Sequence, residues 1–283
     1  MTLNLRFQFP RLSFMFLLLF AFLQLNCSGS RYFGTDQSIR VLTYNIHHAE
    51  GADGKIDIKR IARVILTSQA DIVALQEVDR NTKRSNNIDL LTALADETGM
   101  TYAFGKTIDF QGGDYGNGIL TKFPILEERN YYLKSVGNGE QRAAMALVLD
   151  CKGQDILLIN THLDHRVDDS ERFGSVQELI RISKTDSTRP VIVCGDFNDV
   201  PASRSIALIH ASFDDCWERA GNGNGFTFAS DNPQRRIDYI FCSMKLQGQR
   251  LRTTLLDPQK ATVIQSDASD HLPLVVDFRM GAQ

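Results

Sequence analysis

The sequence has little net charge and few cysteines, and these two scarcities narrow the classes of protein it can belong to. Its 283 residues carry a formal net charge of −3, with a pI near 6.1, so the chain lacks the basic field of proteins that cling to nucleic-acid backbones. Its five cysteines include no closely spaced pair, which argues against a zinc-binding motif and a disulfide scaffold. No internal repeat or low-complexity stretch occurs. With 43% hydrophobic residues, the chain can form one large globular core.

One long hydrophobic run is present, and it lies near the N-terminus. Arg6 and Arg11 precede the apolar stretch 12–23, which has the length of a signal-peptide core and is short for a transmembrane helix. We therefore predict that the protein is exported to the periplasm or cell envelope. An uncleaved membrane anchor is the alternative.

Cys27 ends this segment in the string Leu-Gln-Leu-Asn-Cys. The string resembles a bacterial lipoprotein cleavage site, although Asn26 stands where a small residue is usual. We predict a signal peptide or lipoprotein signal over residues 1–27 and a polar tether over residues 28–38. A lipidated Cys27 would hold the protein at a membrane surface, whereas ordinary cleavage would give a soluble product.

Apolar periodicity after residue 38 predicts a mixture of strands and helices. Strands are predicted at residues 39–46, 72–75, 118–121, 125–132, 143–150, 155–160, 191–194, 237–241 and 274–278, and helices near residues 58–65, 90–95, 173–180 and 206–209. Because the two kinds of element do not alternate strictly, a Rossmann fold or a TIM barrel is disfavoured. Two packed sheets with helices outside fit better.

Polar residues recur where the apolar strands end or begin. They are Asn45, Glu77, His162, Asp196, Asn198, Asp238, Asp270 and His271. An ionised carboxylate beside a buried strand is costly unless it is paired or bound to a metal. Each residue also has an ordinary explanation, since Asp-Phe-Asn after a strand is commonly a turn and Glu77 could simply pair with Arg80. Their joint occurrence favours one site at the strand ends.

The strings TYNIH, ALQEV, NTHLD, GDFND, RIDYIF and SDHLP occur in this order. In these strings the chain resembles the endonuclease/exonuclease/phosphatase superfamily, which includes deoxyribonuclease, abasic-site endonuclease, inositol-phosphate phosphatase and neutral sphingomyelinase. The resemblance runs from about residue 39 to about residue 278. It implies an α/β fold, a four-layer α/β/β/α sandwich of two mixed sheets with helices outside, and a catalytic domain over residues 39–280.

The resemblance also implies a metal-dependent phosphodiesterase and a role for each matching residue. Glu77, Asn45 and Asp270 would hold the metal. Asp238 would orient His271, Asp196 and Asn198 would position or activate the attacking water, and His162 would contact a phosphate oxygen. Oxygen ligands without cysteine suit Mg²⁺ or Mn²⁺.

Three further residues are expected to bind the substrate. Tyr115 and Asn117 lie in a glycine-rich stretch that we interpret as a loop before a strand, and Arg142, at the start of strand 143–150, resembles a phosphate-binding arginine of several relatives. His47 stands where several relatives have an acidic residue, which puts a second metal site in doubt.

Two substrate classes remain open. The paired His47-His48 and the Thr-His-Leu-Asp-His string look most similar to an exported bacterial branch grouped with proteins that remodel glycosylphosphatidylinositol anchors. This favours a phosphate ester in a lipid head group or a similar small phosphodiester. A secreted nuclease would share every catalytic residue, but the mild acidity disfavours a nucleic-acid partner. We expect a monomer, and we regard a binding module without chemistry as disfavoured by the intact residue set.

Overall fold

The computed structural model describes residues 1–2, 37–185, 189–244 and 255–281. The chain divides into two units, residues 1–35 and 36–283, and every element given below belongs to the second. The predicted signal segment, Cys27 and most of the tether lie outside the described residues. Among the described residues, no helix has the length and apolar character needed to cross a membrane.

The described residues of the second unit form twelve strands and five helices. The strands are β1 Ser38–Asn45, β2 Ile72–Arg80, β3 Thr101–Phe110, β4 Gly113–Thr121, β5 Ile125–Tyr132, β6 Ala143–Asp150, β7 Asp155–His162, β8 Val191–Asp196, β9 Phe213–Asp215, β10 Asp238–Ser243, β11 Leu255–Val263 and β12 Leu274–Gly281. The helices are α1 Ile58–Ser68, α2 Leu90–Thr98, α3 Ser170–Ser183, α4 Arg204–Ile209 and α5 Cys216–Ala220. A short 3₁₀ turn, His47–Ala49, follows β1.

The strands form two six-stranded mixed sheets. The first has the order β11-β12-β1-β2-β4-β3, and the second has the order β5-β6-β7-β8-β10-β9. Within the first sheet β1 and β2 run parallel, and within the second β7 and β8 do so; their other neighbours are antiparallel. The predicted fold class, two mixed sheets with helices outside, is confirmed.

Strand β1 shows why the central strands are apolar on both faces. Val41 packs in the core between the two sheets, whereas its neighbour Leu42 packs against the side that carries α1 and α2. Successive side chains of a strand point to opposite faces, so a strand covered on both sides reads as a continuous apolar run. A third cluster, which includes Val176 and Phe241, fills the space beside α3 and α4.

A buried pair of amides links the two sheets near the middle of the sandwich. The Gln76 Nε2 atom donates to Asn160 Oδ1 at 2.7 Å and to Thr43 Oγ1 at 3.1 Å. The Asn160 Nδ2 atom donates to the carbonyls of Leu75 at 2.8 Å and Gly118 at 3.0 Å. Gln76 belongs to the first sheet and Asn160 to the second, so this network fixes their relative position in an otherwise apolar core.

The structure corrects the prediction that Tyr115 and Asn117 lie in a loop. Both residues belong to β4, which begins at Gly113. The glycine between them indicates close strand packing instead: a Cβ atom on Gly116 would lie 2.1 Å from the carbonyl oxygen of Gly105 in β3. Glycine in a strand often marks such a close backbone approach.

Several short or irregular elements were not predicted individually. These are β3, β9, β11, α5 and the His47–Ala49 turn. Cys194 and Cys242 are buried within β8 and β10. The four cysteines in the described part of the chain are all free.

We expect Asn160→Ala to lower the free energy of unfolding by about 2–4 kcal/mol, because it removes the donor to two buried carbonyls and the acceptor of Gln76. Urea unfolding followed by circular dichroism measures this loss. Asn138→Ala, in an exposed loop, is the matched control and should leave stability almost unchanged. Equal stabilities of the two variants would show that the amide pair does not hold the sheets together.

Candidate active site

The polar residues predicted from the sequence converge where strands of both sheets end. Asn45 is the last residue of β1, His162 of β7 and Asp196 of β8, while Asp238 is the first residue of β10. Parallel strands bring their carboxyl ends to one edge, and the antiparallel register places Asp238 opposite Asp196. One end of the sandwich therefore collects these side chains although they are distant in sequence.

Asp196 is the central member of the site and is only 1% exposed. Its Oδ2 atom accepts a hydrogen bond from Asn45 Nδ2 at 3.0 Å, and its Oδ1 atom accepts one from the Asn198 backbone at 2.8 Å. The Nε2 atoms of His162 and His271 lie 3.5 Å and 3.6 Å from Oδ2. Burial raises the pKa of Asp196 to about 7, although the attraction of His271 opposes this. A carboxylate with a pKa near neutrality is suited to accept a proton.

His271 and Asp238 form a buried pair beside this carboxylate. The His271 Nδ1 atom lies 2.9 Å from Asp238 Oδ2, and the ring of Phe228 packs 4.8 Å from the imidazole, centroid to centroid. Burial alone would lower the pKa of His271, but the charges of Asp238 and Asp196 raise it to about 10. The imidazole therefore carries a proton at neutral pH, with Nδ1–H donated to Asp238 and Nε2 on the side of Asp196.

His162 is held in the opposite protonation state. Its pKa lies well below the usual value because burial disfavours the cation and because Arg142 and His271 add positive charge nearby. The Nε2 atom lies 3.1 Å from Asn198 Nδ2, which can only donate, so Nε2 acts as the acceptor. Nδ1 then carries the hydrogen and faces the Tyr115 hydroxyl at 3.4 Å.

Glu77 reaches the site through an irregularity in β2. The register with β4 shifts between Leu75 and Val78, and Glu77 has a positive φ of 58°, which is uncommon for a residue other than glycine. A bulge of this kind re-aims a side chain. The Glu77 Oε1 atom accepts a hydrogen bond from Asn45 Nδ2 at 3.1 Å.

Asp270 and two histidines complete the acidic side of the pocket. The Asp270 Oδ1 atom lies 3.9 Å from His47 Nδ1. One ring nitrogen each from His47 and His48 and one carboxylate oxygen of Glu77 lie within 4.8 Å of one another. The donor set beside Glu77 therefore fits a divalent cation. The sequence pattern assigns no ligand role to this histidine pair; its signal is the position directly after β1, where several relatives have an acidic residue at position 47.

Asn45 faces this donor set with its nitrogen. Its Nδ2 atom donates to both Glu77 and Asp196, while its Oδ1 atom accepts a hydrogen bond from the His47 backbone at 3.0 Å. An amide nitrogen that donates is not a metal ligand, so in this arrangement Asn45 positions two carboxylates. Its predicted place among the metal ligands, like those of Glu77 and Asp270, stays a prediction.

The three predicted substrate-binding residues have different surroundings. The Asn117 side chain is buried and donates to the Ala143 carbonyl at 3.1 Å, and Tyr115 is buried against His162. Arg142 is only 7% exposed and pairs with Glu140 at 3.2 Å, but its Nε–H group is buried without a partner. A buried unsatisfied donor on a cation favours an anionic ligand.

Known proteins share both the sequence pattern and the architecture. Residues 42–271 match the sequence model described as the Endonuclease/Exonuclease/phosphatase family. The uncharacterized protein YbhP of Escherichia coli strain K12 is 28% identical over 216 residues, which cover 72% of this chain and 84% of YbhP.

Two solved structures are similar in fold. The endonuclease/exonuclease/phosphatase from Beutenbergia cavernae gives a TM-score of 0.71 at 23% identity, covering 87% of this chain and 72% of the other. The mannosyl-6-phosphatase of Bacteroides thetaiotaomicron gives a TM-score of 0.68 at 21% identity, covering 85% of this chain and 99% of the other. At these identities the structures show the shared fold.

We expect Arg142→Gln to weaken the binding of inorganic phosphate by at least about tenfold, the effect of losing a charge-assisted hydrogen bond of about 1.5–3 kcal/mol. Isothermal titration calorimetry of wild type and variant measures the change. Arg63→Gln, on the exposed side of α1, removes the same charge and serves as the control. Equal phosphate affinity in all three proteins would remove Arg142 from the binding site.

Proposed function

The chain belongs to the endonuclease/exonuclease/phosphatase family, and on that premise we propose that it hydrolyses a phosphodiester in a lipid head group or a similarly small molecule. Enzymes of this family are metal-dependent hydrolases of phosphate esters. The observation that carries the proposal is the buried constellation of Asp196, His271 and Asp238 beside Arg142 and the Glu77 donor set.

The site residues have different roles in hydrolysis because their charge states differ. Asp196, with its pKa near 7, takes a proton from the attacking water. Protonated His271 donates its Nε2 proton to the departing alcohol oxygen as the ester P–O bond breaks, while Asp238 holds the ring in place. Arg142 binds a phosphoryl oxygen, while neutral His162 accepts a hydrogen bond from Asn198 Nδ2 and so holds that amide beside Asp196. A divalent metal beside Glu77, when bound, supplies charge neutralisation for the phosphoryl group.

Arginines on segments next to the site residues are paired with carboxylates of the protein, which favours a small substrate over a nucleic acid. Arg84 pairs with Asp79 at 2.7 Å, Arg166 with Asp164 at 2.9 Å, and Arg172 with Asp199 at 3.1 Å. Proteins that track a nucleic-acid backbone use several cations to neutralise phosphates. Here three cations on segments next to the site residues are already neutralised by the protein itself.

Two exposed valines, on chain segments that adjoin site residues in the sequence, support contact with a lipid surface. Val136 is 62% exposed in the segment that leads to Arg142, and Val167 is fully exposed in the segment that follows His162. Glu171 contacts both segments. It accepts hydrogen bonds from the backbone of Val136 and Gly137 and forms an ion pair with Arg166. Export to the cell envelope and lipidation of Cys27, both proposals from the sequence, would place the site near such a surface.

A substrate screen tests the proposal. With Mg²⁺ or Mn²⁺ the purified protein should hydrolyse bis-p-nitrophenyl phosphate and phosphatidylinositol or sphingomyelin in vesicles, and should nick supercoiled DNA far more slowly. Glu77→Gln keeps the side-chain volume and should lose turnover on every substrate, because one carboxylate of the metal site is gone. Val167→Asp should slow only the vesicle reaction. Faster cleavage of DNA than of any lipid would favour the nuclease alternative.

The His271–Asp238 pair gives a second expected outcome. His271→Ala should lower kcat by about 10²–10⁴, the usual range for losing a positioned proton-transfer group, and Asp238→Asn should cost as much or less because the imidazole remains. The double variant should lose little more than the worse single variant, since residues that act as a unit give non-additive losses. Steady-state kinetics with bis-p-nitrophenyl phosphate measures all three, and losses that multiply would mean that the two residues act independently.

A further inference from the structure

The turn that follows β1 brings two histidines to the Glu77 carboxylate in an unusual backbone conformation. His47, His48 and Ala49 have φ values of 44°, 43° and 65°. Residues other than glycine seldom adopt the left-handed region, and three in succession are rarer still. Such strain is commonly maintained at functional sites. The strained turn therefore suggests that the two imidazoles beside Glu77 have a function.

The ligand atoms of this group are close enough to share one ion. One ring nitrogen of His47, one of His48 and one oxygen of Glu77 all lie within 4.8 Å of one another. The rings of the two histidines meet edge to face, with their centroids 4.5 Å apart. Asp270, 3.9 Å from His47 Nδ1, adds a further oxygen on the same side.

His48 carries an independent sign of a missing ligand. The residue is only 6% exposed, and its buried Nδ1 atom has no hydrogen-bond partner. Its Nε2 atom lies 3.2 Å from Glu50 Oε2. A carboxylate that accepts the N–H of one ring nitrogen leaves a lone pair on the other, which is the arrangement found for most metal-bound histidines. Buried polar atoms without a partner are uncommon in folded proteins.

Proximity alone does not identify such a site, as a second group in the described residues shows. His210, Asp215 and Glu218 also lie within reach of one another. Asp215, however, pairs with Arg236 at 2.5 Å and accepts the first backbone hydrogens of α5. Its oxygens are already satisfied, so this group lacks the open lone pair that His48 provides.

We propose that His47 and His48 bind the metal ion directly together with Glu77, so that the site selects a divalent transition metal such as Mn²⁺, Co²⁺ or Zn²⁺ over Mg²⁺. The inference rests on the proposed function, because it concerns the same metal site. Mg²⁺ prefers oxygen ligands in octahedral geometry, whereas imidazole nitrogen favours the later first-row metals. The two histidines thus shift the preference of a site that carboxylates alone would leave to Mg²⁺.

Metal binding without substrate tests this assignment. Isothermal titration calorimetry of the metal-stripped protein should give a tighter dissociation constant for Mn²⁺ and Co²⁺ than for Mg²⁺. Pulsed electron paramagnetic resonance of bound Mn²⁺ should show coupling to imidazole ¹⁴N. His48→Gln and His47→Gln should each weaken Mn²⁺ binding and remove one of the two imidazole ¹⁴N couplings, and the double variant should remove both, with little change for Mg²⁺. Glu50→Gln, which disturbs only the partner of His48, should weaken Mn²⁺ binding by about 10- to 100-fold.

His210→Gln is the matched control and should keep the affinity for Mn²⁺ and the full ¹⁴N signal. Circular dichroism checks the fold of each variant. If His48→Gln fails to fold, the test rests on His47→Gln and Glu50→Gln, because the side chains replaced there are partly exposed. Unchanged Mn²⁺ binding in the histidine variants, or absence of ¹⁴N coupling in wild type, overturns the inference. If ester hydrolysis persists in that case, the proposed function stands; if wild type binds no divalent ion and cleaves no ester, both fail.

Discussion

Asp196 is a carboxylate buried where the two sheets meet, and compensation of its charge constrains the residues around it. The first sheet supplies the amide of Asn45, and the second supplies the backbone of Asn198 and the two histidines that approach its Oδ2 atom. An ionised group in such a place is tolerated only when it is paired and hydrogen-bonded. Because the compensating groups come from both sheets, the packing of the sandwich and the electrostatics of the site depend on one another.

The strand ends could be predicted from the sequence because burial leaves a strong pattern there. An apolar run that stops at a lone polar residue, as before Asn45 or Asp196, marks both the strand and the point where the chain reaches the pocket. The bounds of β1 and β6 follow from the same pattern of apolar residues. The four-layer architecture came from the family resemblance.

Features that depend on tertiary context could not be read in the same way. The glycines near Tyr115 are typical of a loop, yet Gly116 belongs to β4. Glycine is needed there because the backbone of the neighbouring strand β3 leaves no room for a Cβ atom. The roles of Asn45 and His48 depend on which atom of each side chain faces which partner. The sequence names the residue but not the direction of its amide or ring, so the ligand set of the metal site could be proposed from it only in outline.

The depth of the site explains why chemistry is easier to infer than substrate. Asp238, His271 and His162 are at most 7% exposed. Asp238 and His162 lie at strand ends, and His271 lies three residues before β12. A phosphoryl group is small enough to reach them, whereas the rest of the ester must contact the surrounding loops, including residues 163–169 and 221–235. Rigid strands therefore hold the residues shared by the family, while loops, which vary freely in length and sequence, select the alcohol group of the ester.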